Sequence, residues 1–524
     1  MPSRTKFLFG AAAALSCVLA GFAGRTSQKS QTRTQLKSGA GRVIPKTWDD
    51  AAMATLEIPL ADPIGSPRQV PGSYYYKIPV RPIYKSYPVY APGHEPPGYM
   101  NWLKQQQPVI VWDDKGHAPP LKTDADWVKA GEIVFDSPIG YGSLSGGAPG
   151  DALYVRESQF FQKTNTPIAA DGTVPFYRYV VQDKGKVQIG VLACAMCHTR
   201  VMPDGTILKG AQGNFPFDRA FAFNYRNSGG SVEQARMLEH SLYAVPWMHT
   251  EIPAKLDEPS IDKIASVHES IPPGVLARSR ASPLYPVQVP DLIGVQNRHY
   301  LDRTGLQQNR SIVDLMRYAA LNQGGDLLAS FDGFIPAGFP DFKKLPNPDE
   351  FLLRYSDAQL YALALYIYSL KPPPNPNKFG VLAARGQKVF ERQGCPVCHT
   401  PPLYSSNRLT LAEGFTPPSE AESSYDILPI SVGTDPNLTL KTRRGTGYYK
   451  VPSLRGVWYR SMFGHSGWCA TLEDWFNPHR TQEDYVPTGF KPYGKQTYAV
   501  KGHPFGLRLS DEDREALIAF LKTL

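Results

Sequence analysis

Two copies of one five-residue pattern constrain this chain more than anything else in it: Cys194-Ala-Met-Cys197-His198 and Cys395-Pro-Val-Cys398-His399, each followed by threonine. From the composition, the expected number of chance matches is on the order of 0.001, so a pair of them is not accidental. Two thiols three positions apart on one helical turn can add to the two vinyl groups of one haem, and the histidine that follows then lies under the iron as its proximal ligand. The pattern predicts two covalently bound haem c groups, one on Cys194, Cys197 and His198, the other on Cys395, Cys398 and His399. A disulfide redox pair or two halves of a tetrahedral zinc site would use the same thiols, but neither requires a histidine after each pair. Cys469 has no partner among the remaining cysteines and reads as packed core beside Trp468.

The ends of the chain fit covalent haem in an export compartment. Residues 1–24 carry Arg4 and Lys6 and then an apolar run from Phe7 to Ala23 with small residues near its end, a secretory signal in pattern. An uncleaved N-terminal anchor is the alternative, because the run of about 17 residues is at the lower limit for crossing a bilayer. Cys17 stands in an imperfect lipoprotein-processing sequence. The expected location is periplasmic or secreted from a bacterium. A formal net charge of +9 spread over 524 residues is too dilute for a nucleic-acid footprint, so no nucleic-acid partner is expected. Gly 45 and Pro 49 make up about 18% of the chain against an average near 12%, which predicts much loop.

Around the two motifs the chain repeats itself. Ala130-Gly131-Glu132-Ile133-Val134-Phe135 is similar to Arg385-Gly386-Gln387-Lys388-Val389-Phe390, each helix-like and N-terminal to a Cys-x-x-Cys-His. Ser356 and Ser510, each followed by acidic residues and an apolar helical period, are N-cap signals for helices closing near Leu370 and Leu524. The predicted fold is mainly α: two cytochrome-c-like domains with long irregular insertions and a Pro/Tyr-rich N-terminal extension. Its segments are a signal or anchor at 1–24, a basic tether and extension at 25–124, a first haem domain at 125–371, a Pro-rich linker at 372–379 and a second haem domain at 380–524.

From about residue 125 onward the sequence resembles a known family. Val451-Pro452-Ser453-Leu454-Arg455-Gly456, then Phe463-Gly464-His465-Ser466-Gly467 and Ala470-Thr471-Leu472-Glu473 are similar to the T-P-x-L-R-N, F-x-H-D-G and A-T-L-E segments of the bacterial di-haem cytochrome c peroxidases and the related methylamine-utilisation di-haem enzyme. The resemblance implies one haem that relays electrons and another with an open position for oxidant. It places the distal ligand of the second haem about fourteen residues after His465, which by count is His479, and so implies bis-histidine ligation by His399 and His479; His465 is the next candidate and Met462 a third. It also implies that Arg455 pairs with a haem propionate, and that Asn224 falls near a calcium ligand, calcium being a further cofactor.

At the first haem, no histidine follows His198 before His240, which predicts an iron open to a small molecule; His240 and His249 are the remaining candidates. The family's catalytic Glu corresponds to the stretch Ala320-Leu321-Asn322, where no Glu stands, and Leu301 replaces its bridging Trp, leaving Tyr300 as a candidate relay. An open haem with an apolar distal side, and about 200 residues between motifs, resembles the rubber oxygenases, although the chain after the second motif is shorter than theirs. That branch implies an oxygenase or oxidase using dioxygen on an apolar unsaturated organic substrate. The alternatives are hydrogen peroxide reduction and non-catalytic electron transfer, and a redox protein is the expected electron donor. Trp458, Tyr459 and Trp475 read as core.

Overall fold

The two sequence repeats fold into two equivalent helix pairs, each crossing at its glycine. The computed structural model describes residues 42–524 apart from 62–64, 145–151, 228, 249–255, 279–280, 345–351 and 443; the proposed signal and Cys17 therefore lie outside the described residues. With the other short helices left unnumbered, the elements are α1 (Asp124–Asp136), the single turn α2 (Cys194–Cys197), α3 (Phe217–Asn227), α4 (Val232–Tyr243), α5 (Ile261–Glu269), α6 (Ile312–Gly324), α7 (Asp357–Ser369), α8 (Val381–Arg392) and α9 (Asp511–Lys522). The N-caps are those the sequence signals. Ser356 caps α7 in a reciprocal box with Gln359, and the Ser510 hydroxyl accepts from the Asp513 N–H.

In the first pair α1 crosses α7, and a Cβ at Gly131 would lie 2.0 Å from the Ala362 carbonyl oxygen. In the second, α8 crosses α9, and a Cβ at Gly386 would lie 1.8 Å from the Ala516 carbonyl oxygen. Only glycine lets the backbones approach this closely, which is why the same residue recurs at the same place in both repeats. Helix α7 is buried from Gln359 through Ile367 without interruption, because α1 covers one side and α6 another. An apolar surface all round suits that position.

Part of the first insertion is ordered as sheet, and the mainly α expectation is corrected: helix takes up 35% and strand 14% of the chain, a mixed fold. Strands β1 (Ser86–Tyr90), β2 (Gly140–Ser143), β3 (Thr173–Asp183) and β4 (Lys186–Val191) form an antiparallel sheet in the order β1-β3-β4-β2. The Pro/Tyr-rich extension thus supplies an edge strand to a hairpin inside the insertion. The physical reason is legible in Thr173–Asp183, whose aromatic and β-branched residues suit a pleated, half-buried surface. Tyr179, Val187 and Ile189 bury the sheet face against Phe160, Phe215 and Met196, so the residue inside the first Cys-x-x-Cys is part of the sheet core.

Residues Val43–Leu524 form one compact unit. Segment 372–379 has neither helix nor strand and joins α7 to α8, with the Asn375 amide donating to the Lys522 carbonyl at 2.9 Å. The sequence halves interlock beyond it. Lys450 N–H donates to Arg303 O at 3.0 Å, Gln288 N–H to His465 O at 2.8 Å, and Ile58 N–H, from the extension, to Leu306 O at 2.8 Å.

Candidate functional site

Strand β4 delivers the first motif. Leu192, in the left-handed region at φ 63°, turns the chain out of the strand and into α2. The His198 N–H donates to Cys194 O at 2.9 Å, and its ring Nδ1 lies 3.1 Å from Pro290 O. A carbonyl only accepts, so Nδ1 carries the proton and Nε2 is left bare. Burial pushes His198 down to about 4, which keeps the imidazole in the neutral form a metal requires. His198, Cys194 and Cys197 line one cavity, whose apolar wall comes from Leu276, Val289, Leu315, Ala319, Leu363 and Ile367.

Among the described residues lining that cavity there is no second imidazole and no thioether. His240 instead lies on α4 with Asp257 at 2.9 Å, and His249 falls outside the described residues. Asn322 does line the cavity, donating its amide to Tyr318 O at 3.1 Å. The carboxylate in the wall is Asp302, which sequence reasoning did not single out for a role. Its oxygens accept from Thr304 Oγ1 at 3.2 Å and from the N–H groups of Leu306 at 2.9 Å and Gln307 at 3.1 Å.

The second motif repeats the first in detail. His399 N–H donates to Cys395 O at 2.8 Å, and the His399 Nδ1 lies 3.1 Å from Tyr404 O, again leaving Nε2 bare. What faces this ring is His503, with ring centroids 6.4 Å apart and planes at 61°. An imidazole nitrogen binds a transition metal at about 2.0–2.1 Å, and ring bonds near 1.33 Å put that nitrogen about 1.1 Å from its ring centre. Two imidazoles sharing one metal therefore have centres about 6.2 to 6.4 Å apart. His503 is held at φ 46°, a backbone region rare for anything but glycine, and its Nδ1 is buried without a hydrogen-bond partner. Removal from water pushes it down to about 3.

His479, the residue reached by counting, does not face His399. Its side chain is 53% exposed, and Nε2 sits 3.3 Å from Asp484. The reason is local: Asn477 caps a single 3-10 turn at Pro478–Thr481 that directs His479 outward and Arg480 inward. Arg480 is fully buried and stacks 4.5 Å from Trp475; it donates to Trp475 O at 2.8 Å, Gly502 O at 2.9 Å and His503 O at 2.8 Å, and also to Val500 O. The expected segment thus matters through its next residue. The signal that marks His503 in the sequence is its place between Gly502 and Pro504, a loop composition that by itself points nowhere. His465 is buried and stacked on Tyr449 at 4.3 Å, with burial pushing it down to about 3.

The remaining expectations divide. Tyr300 does not line the His198 cavity: its hydroxyl accepts from Asp426 N–H at 3.1 Å and its ring packs with Leu409, Ile427 and Tyr448. Arg455 is exposed, on the rim of a cavity described below. Trp475 is more than core, with its ring 5.5 Å from that of His503. Asn224 lies on α3 with its carboxamide oxygen buried and unpartnered. Cys469 is buried with Trp468. All five described cysteines are free thiols, and among the described residues no three of His, Cys, Asp and Glu gather as a metal centre. Paired thiols, a neutral imidazole with a bare Nε2 beside them and, at the second motif, an opposing imidazole at the two-ligand distance form a donor set that fits haem c.

No protein-family model matches the chain, and no curated protein matches it. Solved structures with some likeness include a hydrazine synthase from Kuenenia stuttgartiensis, 16% identical, covering 59% of this chain and 92% of its own at a TM-score of 0.27. Another is a MauG-like protein associated with microbial copper homeostasis, 17% identical, covering 45% of this chain and 75% of its own at a TM-score of 0.27. At these values neither likeness defines the fold or the activity of this chain.

Proposed function

We propose that this chain is an exported di-haem c-type cytochrome with redox activity, in which the first haem site meets dioxygen and an apolar unsaturated substrate and the second relays electrons. The observation that carries the reading is the asymmetry between two otherwise matching sites. His399 is opposed by His503 at 6.4 Å, whereas His198 shares its cavity with no second imidazole and no thioether among the described residues. Haem c would supply an iron with an open position at the first site and a closed, one-electron relay at the second.

The chain's own residues do the rest. Pro290 O and Tyr404 O fix the tautomer of each proximal imidazole. The apolar wall from α6 and α7 excludes water and suits a hydrocarbon. Asp302 is fixed in the cavity wall by three hydrogen-bond donors, Thr304 Oγ1 and the N–H groups of Leu306 and Gln307.

A second reading, hydrogen peroxide reduction, rests on that same Asp302, because a carboxylate near the open position is what peroxide cleavage needs. The test is low-temperature EPR with optical spectra of the ferric protein, followed by oxygen uptake with candidate alkenes alongside peroxide consumption with a reduced cytochrome donor. One closed and one open iron with oxygen uptake supports the first reading. Rapid peroxide turnover without oxygen uptake establishes the second in its place, and two closed irons without turnover leave an electron carrier.

A further inference from the structure

Between the two sites lies a cavity of about 440 Å³ whose walls belong to both. Pro290, whose carbonyl orients His198, forms one side; Leu403 and Ser405, flanking the Tyr404 carbonyl that orients His399, form the other. Its charge is lopsided. Arg298, Arg303, Lys371, Lys450, Arg455 and Arg460 line it against a single carboxylate side chain, Asp291, which Tyr459 engages at 2.8 Å. Arg303 lines this cavity and the His198 cavity at once.

Such a cluster is unfavourable as it stands. Burial, helped by repulsion from Arg460 and Arg298, pulls Arg303 down to about 9, and burial with Arg298 and Arg303 nearby depresses Lys450 well below an ordinary lysine. Protein acceptors compensate only in part, Arg460 Nη2 donating to Ser453 O at 2.8 Å and Arg455 O at 2.6 Å. The Arg303 Nε is buried without a partner, and Arg460 Nε reaches only to 4.0 Å from Asp291. Lys450 Nζ is held by the Tyr300 and Leu301 carbonyls at 3.0 and 3.1 Å, Arg298 by the Ile293 carbonyl at 2.8 Å and by that of Asp291. A group of like charges facing one small space with donors unused implies a multiply charged anion whose oxygens complete it.

We propose that this cavity is a common carboxylate chamber for the two haem groups, receiving propionates from both sides with Arg303 shared between them. Two haems bring four carboxylates, a number the cationic excess of the walls can take. The consequence is functional: with both haems in one set of charges, the oxidation state of each sets the potential of the other. The inference rests on the di-haem reading, and the experiment keeps the two separable.

The holoprotein is first shown to carry two haems per chain by its pyridine haemochrome; fewer than two overturns the di-haem reading itself. Midpoint potentials of both haems are then measured by spectroelectrochemistry for wild type, Arg303→Gln, Arg303→Lys and Lys450→Met, with Lys186→Gln on the exposed β3–β4 turn as control. Loss of a positive charge beside a carboxylate-bearing haem disfavours the reduced form. Arg303→Gln is expected to weaken the reduction equilibrium of both haems roughly tenfold, about 59 mV for a one-electron couple, while Arg303→Lys recovers most of that shift and the control shows none. A shift at one haem only, or at neither, with two haems still bound overturns the shared chamber. If Arg303→Gln does not retain both haems, Lys450→Met is read by the same criterion. Inorganic phosphate is the rival anion. A saturable change in wild-type potentials on adding it means that the chamber takes free anions instead, and overturns the proposal.

Discussion

Replacing His503 with alanine tests the site at its most specific point. With His399 and His503 6.4 Å apart, each chain should carry one six-coordinate low-spin haem and one open haem. In His503→Ala the low-spin EPR signal should fall from about one haem per chain to less than about a tenth of that, with an equal rise in high-spin signal. Removing a packed ring that touches Trp475 and Phe505 should also cost on the order of 2–4 kcal/mol of stability. Free imidazole should enter the space left behind and restore the low-spin spectrum. His479→Ala, a change at a half-exposed side chain paired with Asp484, should leave the spectra untouched. The reasoning is refuted if His503→Ala keeps its low-spin signal, and the refutation is complete if His479→Ala loses it.

Three further outcomes are expected. The Cys194→Ala, Cys395→Ala double variant should lose covalent haem stain from denatured protein, and unchanged staining would show that the thiols do other work. Gly131→Ala and Gly386→Ala each gain on the order of 1 kcal/mol in helix propensity but force a Cβ to within about 2 Å of a carbonyl oxygen. Overpacking of on the order of 1–3 kcal/mol or more should win, lowering the urea midpoint, and an unchanged midpoint would contradict the crossing geometry. His268 lies between Asp218 at 2.7 Å and Glu239 at 3.1 Å. Burial alone would lower its pKa, but Glu239 and Asp218 outweigh burial and raise it to about 10. With the folded value above the ordinary 6.5, this contribution is fully present below pH 6.5 and lost as pH rises through about 10. Thermal melts of wild type should therefore fall more steeply from pH 7 to 10.5 than those of His268→Gln, and parallel curves would sink the assignment.

What was legible in the sequence was what local chemistry determines. The Cys-x-x-Cys-His pairs and the serine N-caps act through neighbours in the chain, so spacing alone reveals them, whereas the glycine of each helical repeat acts on a helix distant in the chain and shows only because it recurs. The sheet was missed because β1 and the β3–β4 hairpin are separated by more than 80 residues, and a Pro/Tyr-rich stretch such as Ser86–Tyr90 becomes a strand only when a partner offers its edge. The intersite cavity was missed for the same reason: Arg298, Arg303, Lys450 and Arg460 are unremarkable singly, and only the fold brings their charges together. Counting from His465 failed because a count assumes a conserved loop path, whereas the 3-10 turn at Pro478–Thr481 reverses which side chain points inward.

That reversal makes Arg480 a positioning residue, and its role can be separated from that of the ligand it positions. Its guanidinium spends its donors on the carbonyls of Trp475, Val500, Gly502 and His503, tying the loop that carries the imidazole to the helical turn before it. A lysine keeps the charge but has three donors on one atom and no planar fork, so it cannot span carbonyls on both segments. Each hydrogen bond lost from a charged donor costs about 1.5–3 kcal/mol, the more so where the abandoned carbonyl stays buried. In Arg480→Lys, His503 is still present but held less firmly at its strained φ of 46°. The expected result is a temperature-dependent mixture: low-spin on cooling, increasingly high-spin toward the melting transition, with the first haem unaffected. His503→Ala cannot recover on cooling, so the two variants are distinguishable in one optical titration against temperature. If Arg480→Lys stays fully low-spin up to the unfolding transition of wild type, the loop holds itself and the guanidinium is packing alone.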